Sequence, residues 1–417
     1  MKTIWIIDHY SSEPQYGGIS RQYDFACELS KRGYNAVVIS SAFSHFTHSF
    51  ISDEDVYVSK INDRVHYVYL KTSPYENNAG IGRLKNMISF KRAVRKHKSR
   101  IANMFGKPDV VNGCSVHPFA WVAGYKVAKK YKARFCVEVR DLWPAIWVLN
   151  GEKSKLHPMV LFFGALEKWA YHKADRIIYS MAYGDRYICD ELGYSKEKAF
   201  LIGQPMDCNR FDKFAEEKRD LIPKDIRDFM TNSFVCVFAG YYMKYEGVYT
   251  MLEAAKILRK KGLPVKMVFV GSGQEKDGME QYAQQNSLDN VYIGSRISKE
   301  AIPALLKKSD ICMAHLAIEG HEDAYKYGVS KNKVNEYLYS GACTIYGFLY
   351  KDDVVASKGA GYVIEPFNSG ELADRIEEVY NMQESEYKLF GVNGRRYINE
   401  NHHVEVLTDK LEQVFFG

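Results

Sequence analysis

The same short pattern opens both halves of this 417-residue chain, and it limits the fold more than any other feature. Residues 3–7 form an apolar run, followed by a polar loop with Gly17 and Gly18 and then by a helical pattern. Residues 234–239 are followed in the same way by a loop over 240–247 and a second helical pattern. Short, continuous apolar runs that alternate with helices are typical of parallel strands buried on both faces. We therefore predict an α/β protein with two doubly wound, Rossmann-like domains.

Further apolar runs support this division. In the first half they lie at 36–39, 66–70, 110–112, 135–139 and 176–179, and in the second at 265–270, 290–293, 311–314, 343–346 and 361–364. The polar segment 202–232 contains two prolines and indicates a boundary, so we place the domains at 1–204 and 205–400. Ligands of such sheets bind at the carboxyl ends of the strands. The two glycine loops should therefore line a cleft between facing domains.

The composition excludes several other classes of protein. Hydrophobic residues make up 46% and charged residues 26% of the chain, which is ordinary for a globular protein. A net charge of +6 falls short of a nucleic-acid-binding profile, and no apolar run reaches the ~18 residues of a membrane helix. The eight cysteines are scattered without a Cys-x-x-Cys pair, which indicates reduced thiols. We therefore expect a cytoplasmic protein that binds no nucleic acid.

Neither glycine-containing segment of the second half is a known nucleotide fingerprint. The sequence Gly271-Ser272-Gly273 lacks a third glycine, because Lys276 occupies its place. It also follows the second strand of its domain, whereas a dinucleotide fingerprint opens the first helix. A Gly-Lys-Ser/Thr phosphate loop is absent from the sequence. These features argue against ordinary NAD enzymes and P-loop nucleotidases.

Both glycine loops precede a helix N-terminus, where backbone N–H groups and the helix dipole favour an anion. The first loop, with Gly17 and Gly18, is compatible with an anion site or with a simple tight turn. The second loop begins at Gly240 and contains Lys244. It is compatible with a diphosphate clamp or with a solvated surface lysine. The sequence leaves both alternatives open.

Three further segments carry side chains suited to ligand binding. His117 follows the strand over 110–112 and fits either a hydrogen bond to a substrate hydroxyl or a structural role. The charged run 138–141 ends another strand, so its charges form either a structural ion pair or a ligand contact. Glu336 lies one turn inside a predicted helix. A carboxylate there can hold a ribose diol, or it is an exposed glutamate beside lysines.

Two other charged segments have simpler explanations. The segment 83–104 places an apolar stripe at helical spacing among eight Lys and Arg residues. Such a helix lies on an anionic membrane surface or packs its stripe on the core of the protein. The acidic turn over 53–55 lies in no nucleotide-like context, and we interpret it as solvated.

The sequences EVRDLWP at 138–144 and YGVSKNKVNEY at 327–337 resemble motifs of glycosyltransferase family 4. These are the retaining enzymes of the GT-B fold, and the resemblance is strongest to the bacterial surface-polysaccharide subgroup. It extends over nearly the whole chain. It implies that the acceptor binds the first domain and a nucleotide-sugar donor mainly the second. It also implies a C-terminal helix over 401–417 that crosses back to the first domain.

The resemblance implies a set of catalytic and donor-binding residues. The catalytic residues are His117, which would face the transferred sugar, Lys244, which would neutralise the leaving phosphate, and Lys333. In the donor site, glycines would approach the diphosphate, Glu336 would bind the ribose, and backbone near Arg296 would meet the base. The donor-binding residues are Gly17, Gly18, Arg140, Gly240, Arg296, Ile297, Val329, Ser330 and Glu336.

One departure from the family pattern concerns the donor sugar. Gly328 stands where the family often has the first of two glutamates. Recognition of the sugar hydroxyls would then fall to the backbone at Val329 and Ser330. The missing carboxylate also keeps an inactive sugar-nucleotide-binding partner subunit as an alternative, beside a GT-B nucleotide-sugar epimerase.

A second departure concerns the positive charge near the diphosphate. Glu246 stands where the family often has a second cation. Lys333, Arg140 or Lys331 would supply the missing charge. We prefer Lys333, because it lies one helical turn from the ribose-binding glutamate.

The implied reaction moves a sugar from a UDP-hexose or UDP-N-acetylhexosamine to a saccharide or polyprenyl-linked acceptor with retention of configuration. The product would belong to a capsule, O-antigen or exopolysaccharide. In retaining members of this fold no protein nucleophile is evident, and the acceptor is thought to attack on the face that the leaving phosphate vacates. Lysines and helix N-termini would stabilise that phosphate, so we expect neither a metal ion nor a cofactor.

Overall fold

A computed structural model describes residues 1–17, 20–76, 80–115, 117–330, 332–351 and 353–417. Contacts divide the chain into two compact units. The first unit consists of Met1–Pro205, Tyr327–Ser330 and Val404–Gly417, and the second of Met206–Lys326 and Lys331–His403. Along the chain, the two segments of the second unit therefore alternate with the three segments of the first.

The first unit contains an eight-stranded sheet. Its strands are β1 Thr3–Ile7, β2 Asn35–Ser41, β3 Val56–Lys60, β4 Val65–Leu70, β5 Val110–Cys114, β6 Arg134–Val139, β7 Arg176–Tyr179 and β8 Ala199–Leu201. They are arranged in the order β3-β4-β2-β1-β5-β6-β7-β8. Every neighbouring pair is parallel except β3 and β4, which are antiparallel.

Helices cover both faces of this sheet. They are α1 Arg21–Lys31, α2 Ile81–Phe105, α3 Pro118–Tyr131, α4 Ala145–Leu149, α5 Pro158–Lys173 and α15 Val404–Phe416. Alternate residues of a strand point to opposite faces, and β1 shows this directly. Ile4 and Ile6 pack with residues of α1 and α15, whereas Trp5 and Ile7 pack with residues of α2, α3 and α5. Burial on both faces explains why β1 is apolar throughout.

The C-terminal helix α15 completes the core of the first unit. Leu407, Leu411, Val414 and Phe415 are buried in the same cluster as Ile4 and other strand residues. At the rim of this contact, the guanidinium of Arg32, directly after α1, forms ion pairs with carboxylates of α15. The helix that follows the second unit in sequence thus belongs to the first unit in its packing.

The second unit contains a six-stranded, wholly parallel sheet. Its strands are β9 Phe234–Tyr241, β10 Val265–Ser272, β11 Val291–Gly294, β12 Ile311–Leu316, β13 Cys343–Phe348 and β14 Gly361–Ile364, in the order β11-β10-β9-β12-β13-β14. The helices are α6 Cys208–Glu217, α7 Lys224–Met230, α8 Val248–Lys260, α9 Lys276–Gln285, α10 Ile302–Lys307, α11 Asn332–Ser340, α12 Val354–Ser357, α13 Ser369–Asn381 and α14 Glu384–Asn401. Helices α8 and α13 pack on β9, β10, β12 and β13 through one apolar cluster.

The predicted fold class is confirmed, because both units are α/β and both sheets are parallel apart from β3. Every predicted strand is present, and its ends agree within two residues. The sequence does not predict β3, a half-exposed edge strand, or β8, which has three residues. The segment 202–232 holds α6 and α7, and the division between the two units falls within it, after Pro205. The predicted cleft between the domains stays a prediction.

The apolar stripe of the basic helix α2 is buried. Phe90, Val94 and Ile101 belong to the main core of the first unit. Met87 packs with Phe119 and other residues in a smaller aromatic cluster. The stripe therefore packs on the core, which is the second of the two alternatives that the sequence left open. No α-helix in the described ranges is long and apolar enough to span a bilayer.

Candidate functional site

Polar side chains follow three neighbouring strands of the first unit. His9 lies just after β1, His117 after β5 and Arg140 after β6. Because these strands are adjacent and parallel, their carboxyl ends lie side by side. The sequence predicts His117 and Arg140 at this edge. His9 is not predicted, although its position after β1 is the same kind of signal as that of His117 after β5.

His117 and His9 form a buried pair. Nε2 of His117 lies 2.5 Å from Nδ1 of His9, and the two rings are nearly perpendicular. Burial, together with the charge of Arg83, lowers the pKa of His117 to about 3. Burial, His117 and Arg83 also lower the pKa of His9 well below its usual value. Both rings are therefore neutral at neutral pH, and one N–H donates across the pair.

The His117 ring is fixed in place and keeps one unused nitrogen. His117 is the residue before the first turn of α3, which begins with Pro118. His9 stacks between Tyr10 and Phe90, with ring centroids 4.5 Å and 4.3 Å away. Nδ1 of His117 is buried and has no hydrogen-bond partner in the described part of the chain. His117 therefore keeps one ring nitrogen whose hydrogen-bonding capacity is unsatisfied.

Glu138 has a structural role. Its carboxylate accepts hydrogen bonds from Arg21 Nε at 2.7 Å, Gln22 Nε2 at 3.0 Å and Asn112 Nδ2 at 2.7 Å, and it is buried. Burial favours the neutral acid, but Arg21 and Arg140 outweigh burial and lower the pKa of Glu138. The first charge of the run 138–141 thus forms a buried ion pair that joins β6 to α1.

Arg140 is placed differently from Glu138. Its backbone N–H donates to Ser115 Oγ at 2.9 Å, and Nη1 lies 3.6 Å from the buried carboxylate of Asp8. Burial raises the pKa of Asp8, although Arg140 acts against this shift. Nη1 has no hydrogen-bond partner among the described residues. Arg140 can therefore give a hydrogen bond to an anionic ligand at the edge of the sheet.

The glycines at 17 and 328 are required by backbone conformation. Gly17 has φ +73° and Gly328 has φ +78°, in the left-handed region that other residues seldom adopt. A Cβ on Gly328 would also lie 3.1 Å from the backbone nitrogen of Ala182. A glutamate at 328 would therefore be strained, which gives a physical reason for this departure from the family pattern. The predicted site residue Gly18 lies outside the described residues.

A tight turn in the second unit carries Lys244. Residues Lys244–Glu246 form one 3₁₀ turn between β9 and α8, and Gly247 follows with φ +65°. His315 supports this turn from β12. Its Nδ1 lies 3.0 Å from the carbonyl oxygen of Tyr245, and its Nε2 accepts the N–H of Phe367 at 3.1 Å. The ammonium of Lys244 is exposed and forms no ion pair with any residue that the structure describes.

Lys333 lies against the start of the same loop. Its Nζ is 2.7 Å from the carboxylate of Glu246 and 4.6 Å above the ring of Phe238. A Cβ on Gly240 would lie only 2.6 Å from this nitrogen, so a glycine there makes room for the lysine. The structure thus brings Gly240, Lys333 and Glu246 together. It also shows that Glu246 balances the charge of Lys333, which the sequence does not predict.

Glu336 lies one turn further along α11 and is half-buried. Burial raises the pKa of Glu336, although Lys299, Arg210 and Lys333 all act to lower it. Its carboxylate has no hydrogen bond or ion pair with a described residue. The sequence singles out neither Lys299 nor Arg210 as a charge near Glu336.

Four predicted donor-binding residues lie in two other segments of the chain. Arg296 and Ile297 follow β11, where Arg296 is exposed and Ile297 half-buried. Val329 and Ser330 are half-buried and belong to the first unit, unlike the neighbouring Lys333. Ser330 Oγ is buried without a hydrogen-bond partner among the described residues. Lys331, considered as a source of charge, lies outside them.

No group of three or more His, Cys, Asp or Glu side chains within the described ranges could hold a metal ion.

Two α/β units with largely parallel sheets fit the GT-B fold, and solved structures support this fold. Sucrose-phosphate synthase from Thermosynechococcus elongatus matches with a TM-score of 0.71 at 14% identity, over 100% of this chain and 98% of the other. Anabaena Alr3699/HepE in complex with UDP-glucose matches with a TM-score of 0.62 at 14% identity, over 99% of each chain.

Family models give the narrower assignment. A model described as Glycosyltransferase Family 4 matches residues 16–210, and one described as Glycosyl transferases group 1 matches residues 233–382. The chain belongs to glycosyltransferase family 4, in agreement with the resemblance found in the sequence.

Two curated relatives come from bacterial surface-polysaccharide synthesis. The protein named as colanic acid biosynthesis glycosyl transferase WcaI, from Escherichia coli K12, is 26% identical over 57% of this chain and 56% of its own length. The capsular polysaccharide biosynthesis glycosyltransferase CapM, from Staphylococcus aureus, is 21% identical over 49% of this chain and 52% of its own length. The chain thus spans about half the length of these relatives.

Proposed function

We propose that this protein transfers a hexose or N-acetylhexosamine from a UDP-sugar to a saccharide or lipid-linked acceptor, with retention of configuration. The observation that carries the proposal is the cluster around Gly240 in the second unit. There Gly240 makes room for the ammonium of Lys333, Lys244 lies in the turn that also carries Glu246, and Glu336 follows Lys333 by one helical turn. These are the groups needed to bind a diphosphate and a ribose in one ligand.

The choice of a UDP-sugar and of a surface-polysaccharide pathway rests on similar proteins. HepE has been solved in complex with UDP-glucose, with UDP alone, and with UDP and glucose together. WcaI and CapM are named for colanic acid and capsular polysaccharide biosynthesis. The nucleobase, the sugar and the pathway are extended to this chain as part of the proposal.

In the reaction, negative charge grows on the diphosphate as the sugar–phosphate bond breaks. Lys244 is the cation best suited to stabilise it, because no carboxylate neutralises this lysine in the described structure. Lys333 contributes less, since Glu246 lies 2.7 Å from its ammonium. We propose that these lysines and the N-terminus of α8 act in place of a metal ion.

The acceptor hydroxyl then attacks the anomeric carbon on the face that the leaving phosphate vacates, and the phosphate takes the proton. This sequence of events retains the configuration. His117 is assigned to a hydroxyl group of the transferred sugar. Its neutral ring and its buried, unused Nδ1 suit a hydrogen bond to an uncharged group better than a contact with a phosphate.

The proposal is tested by a screen followed by a transfer assay. Nucleotide sugars with different bases and sugars are first compared for thermal stabilisation of the purified protein. The best donor is then incubated with saccharide and polyprenyl-diphosphate-linked acceptors, and the anomeric configuration of the product is read by NMR. We expect an α-linked product from an α-linked donor, with activity that survives EDTA. Inversion, or loss of activity that Mg²⁺ restores, would contradict the mechanism.

The same assay separates the alternatives. A nucleotide-sugar epimerase would convert the donor without any acceptor, and an inactive partner subunit would bind the donor without consuming it. Either result would overturn the proposed transfer reaction. The assignment of the nucleotide site to the second unit would still be testable by substitution of its residues.

A further inference from the structure

A buried asparagine lies beside the pair formed by His9 and His117. Asn86 belongs to α2 and is fully buried. Phe90 follows it by one helical turn, so the two side chains lie on the same face of α2. The His9 ring stacks on Phe90 with the ring planes 5° apart and the centroids 4.3 Å apart. This stacking brings the His9 ring close to the side chain of Asn86.

The amide group of Asn86 has a fixed orientation. Its Nδ2 donates to the carbonyl oxygen of Ser73 at 2.6 Å and to Oγ1 of Thr72 at 2.9 Å. A carbonyl oxygen only accepts hydrogen bonds, so the amide nitrogen, and not the amide oxygen, must face Ser73. Both hydrogens of this nitrogen are thus used. The group that Asn86 keeps for another neighbour is Oδ1, which can only accept.

Oδ1 of Asn86 and Nε2 of His9 complement each other. Both atoms are buried, and neither makes a hydrogen bond of ordinary geometry with a described residue. Burial lowers the pKa of His9, whereas hydrogen bonding to Asn86 acts to raise it. An acceptor beside a ring N–H has this effect, because it stabilises the protonated ring. The amide oxygen is therefore the partner that suits a proton on Nε2 of His9.

We propose that Asn86 is a positioning residue that acts through His9 on the tautomer of His117. With Oδ1 of Asn86 as its acceptor, Nε2 of the neutral His9 ring keeps the proton, and Nδ1 of this ring keeps a lone pair. The lone pair accepts the Nε2–H of His117, 2.5 Å away. Because the neutral His117 ring carries one proton, its Nδ1 then accepts a hydrogen bond and does not donate one.

This order of donors and acceptors determines which ligand groups suit His117. Nδ1 of His117 requires a donor, such as a hydroxyl or an amide N–H, whereas a carboxylate or an ether oxygen would meet a lone pair. The consequence for the sugar rests on the proposed transfer reaction. The group of the donor sugar at His117 is then a hydroxyl or an acylamino group, and a uronic acid carboxylate at that place is excluded.

The tautomers are measured without any ligand, by long-range proton–nitrogen NMR of the histidine rings in the full chain. Signals of the two residues are identified from their loss in the His9→Phe and His117→Phe variants. We expect a proton on Nε2 and a bare Nδ1 in both rings. A proton on Nδ1 of His117, which a hydrogen bond between this ring and its own backbone would favour, would overturn the proposal.

Two substitutions separate the roles of the amide oxygen and the amide nitrogen of Asn86. Asn86→Asp keeps an oxygen that faces His9 and loses the amide nitrogen, whereas Asn86→Leu loses both. We expect the unaltered tautomers in the Asp variant and a mixture of tautomers in the Leu variant. Thr72→Val, the matched control, removes one partner of Nδ2 and should leave the tautomers unchanged. Equal spectra for the Asp and Leu variants would overturn the proposal.

Calorimetry then connects the tautomer to ligand binding. Asn86→Leu should weaken binding of UDP-glucose by about fivefold, the effect of one neutral hydrogen bond, and should leave binding of UDP unchanged. Equal losses for the two ligands would mean that Asn86 acts through the fold, and the proposal would fail. If UDP-glucose did not bind to the unaltered protein, the proposed donor would be wrong, and the ring spectra would still decide the role of Asn86.

Discussion

Lys244 and Lys333 carry the same charge, but their surroundings differ. Lys333 faces the carboxylate of Glu246 at 2.7 Å, whereas Lys244 is exposed and unneutralised in the described structure. A ligand phosphate near Lys244 thus meets a full positive charge, and one near Lys333 meets a balanced pair. This difference predicts unequal roles for two lysines that the sequence does not distinguish.

Changing Lys244 to Ala should lower kcat/KM by roughly 30- to 1000-fold, because one charge on the leaving group is worth about 2–4 kcal/mol in the transition state. The free energy of unfolding should not change, since the side chain is exposed. Steady-state kinetics and urea unfolding measure the two quantities. Lys260→Ala, an exposed lysine at the end of α8, serves as the control. A Lys244→Ala variant with normal kcat/KM would make Lys244 an ordinary surface residue.

Glu336→Gln should weaken binding of UDP by about tenfold to a hundredfold, because hydrogen bonds to a charged group contribute roughly 1.5–3 kcal/mol. Calorimetry with UDP and with its 2′,3′-dideoxy analogue checks the assignment. The loss should nearly vanish with the analogue, which lacks the ribose diol. Equal losses for both nucleotides would mean that Glu336 acts through the fold.

The raised pKa of Glu336 adds a pH dependence to this experiment. Burial favours the protonated acid, so the carboxylate takes up a proton at a higher pH than an ordinary glutamate does. As the pH falls, the unaltered protein loses the charged acceptor that the variant already lacks. The difference in UDP affinity between the two proteins should therefore narrow on acidification.

At the scale of elements, the turn that carries Lys244 depends on its contact with β12. His315 makes hydrogen bonds with backbone on two sides, and its ring fills the space beside Gly247. Local sequence features, such as helix propensity or the position of a glycine, do not predict the contact between His315 and this turn, because its residues are far apart in sequence. The glycine itself is visible in the sequence, but the reason for it is not.

Gly247→Ala should therefore destabilise the protein more than Gly262→Ala does. Both glycines have a positive φ, +65° and +72°, so alanine carries a conformational cost of about 1–2 kcal/mol at either site. At Gly262 nothing lies within 4 Å of the added Cβ, whereas at Gly247 the ring of His315 is in the way. Urea unfolding compares the two variants. Equal losses would show that His315 moves aside without cost.

The same distinction describes how far the sequence predicts the fold and the site. Strands buried on both faces, such as β1 and β9, are predicted well, because burial makes them continuous apolar runs. The edge strand β3 is missed because one of its faces meets solvent. Gly240 and Lys333 are predicted as site residues separately. The ion pair with Glu246 and the buried partner of His117 are not, because tertiary contacts carry no local pattern.

At the scale of the molecule, a buried acid couples the stability of the first unit to pH. Glu167 on α5 is buried and accepts hydrogen bonds from the hydroxyls of Tyr171 and Tyr187, each at 2.9 Å. Burial outweighs these bonds and raises its pKa to about 8, from 4.5 for an exposed glutamate. The folded protein thus holds a proton there that the unfolded chain releases. The contribution of the protonated Glu167 to the free energy of unfolding is present in full below pH ~4.5 and declines until about pH 8.

Glu167→Gln should consequently stabilise the first unit relative to the unaltered protein as the pH rises, by about 1.4 kcal/mol per pH unit between roughly 4.5 and 8. Tryptophan fluorescence during urea unfolding measures this, because all five tryptophans lie between residues 5 and 169, within the first unit. Glu152→Gln, at an exposed position, is the control. A difference between Glu167→Gln and the unaltered protein that stays constant with pH would mean that Glu167 is charged in the folded state.

The return of α15 to the first unit has a consequence for the order in which the protein is made. Synthesis begins with the strands of the first unit, but part of the cover over Ile4 and Ile6 is supplied by Leu407, Leu411 and Phe415. The whole second unit leaves the ribosome before these residues exist. The unit that is started first is therefore finished last, and a nascent chain that stalls before Val404 displays an uncovered sheet face, a feature that chaperones and proteases recognise.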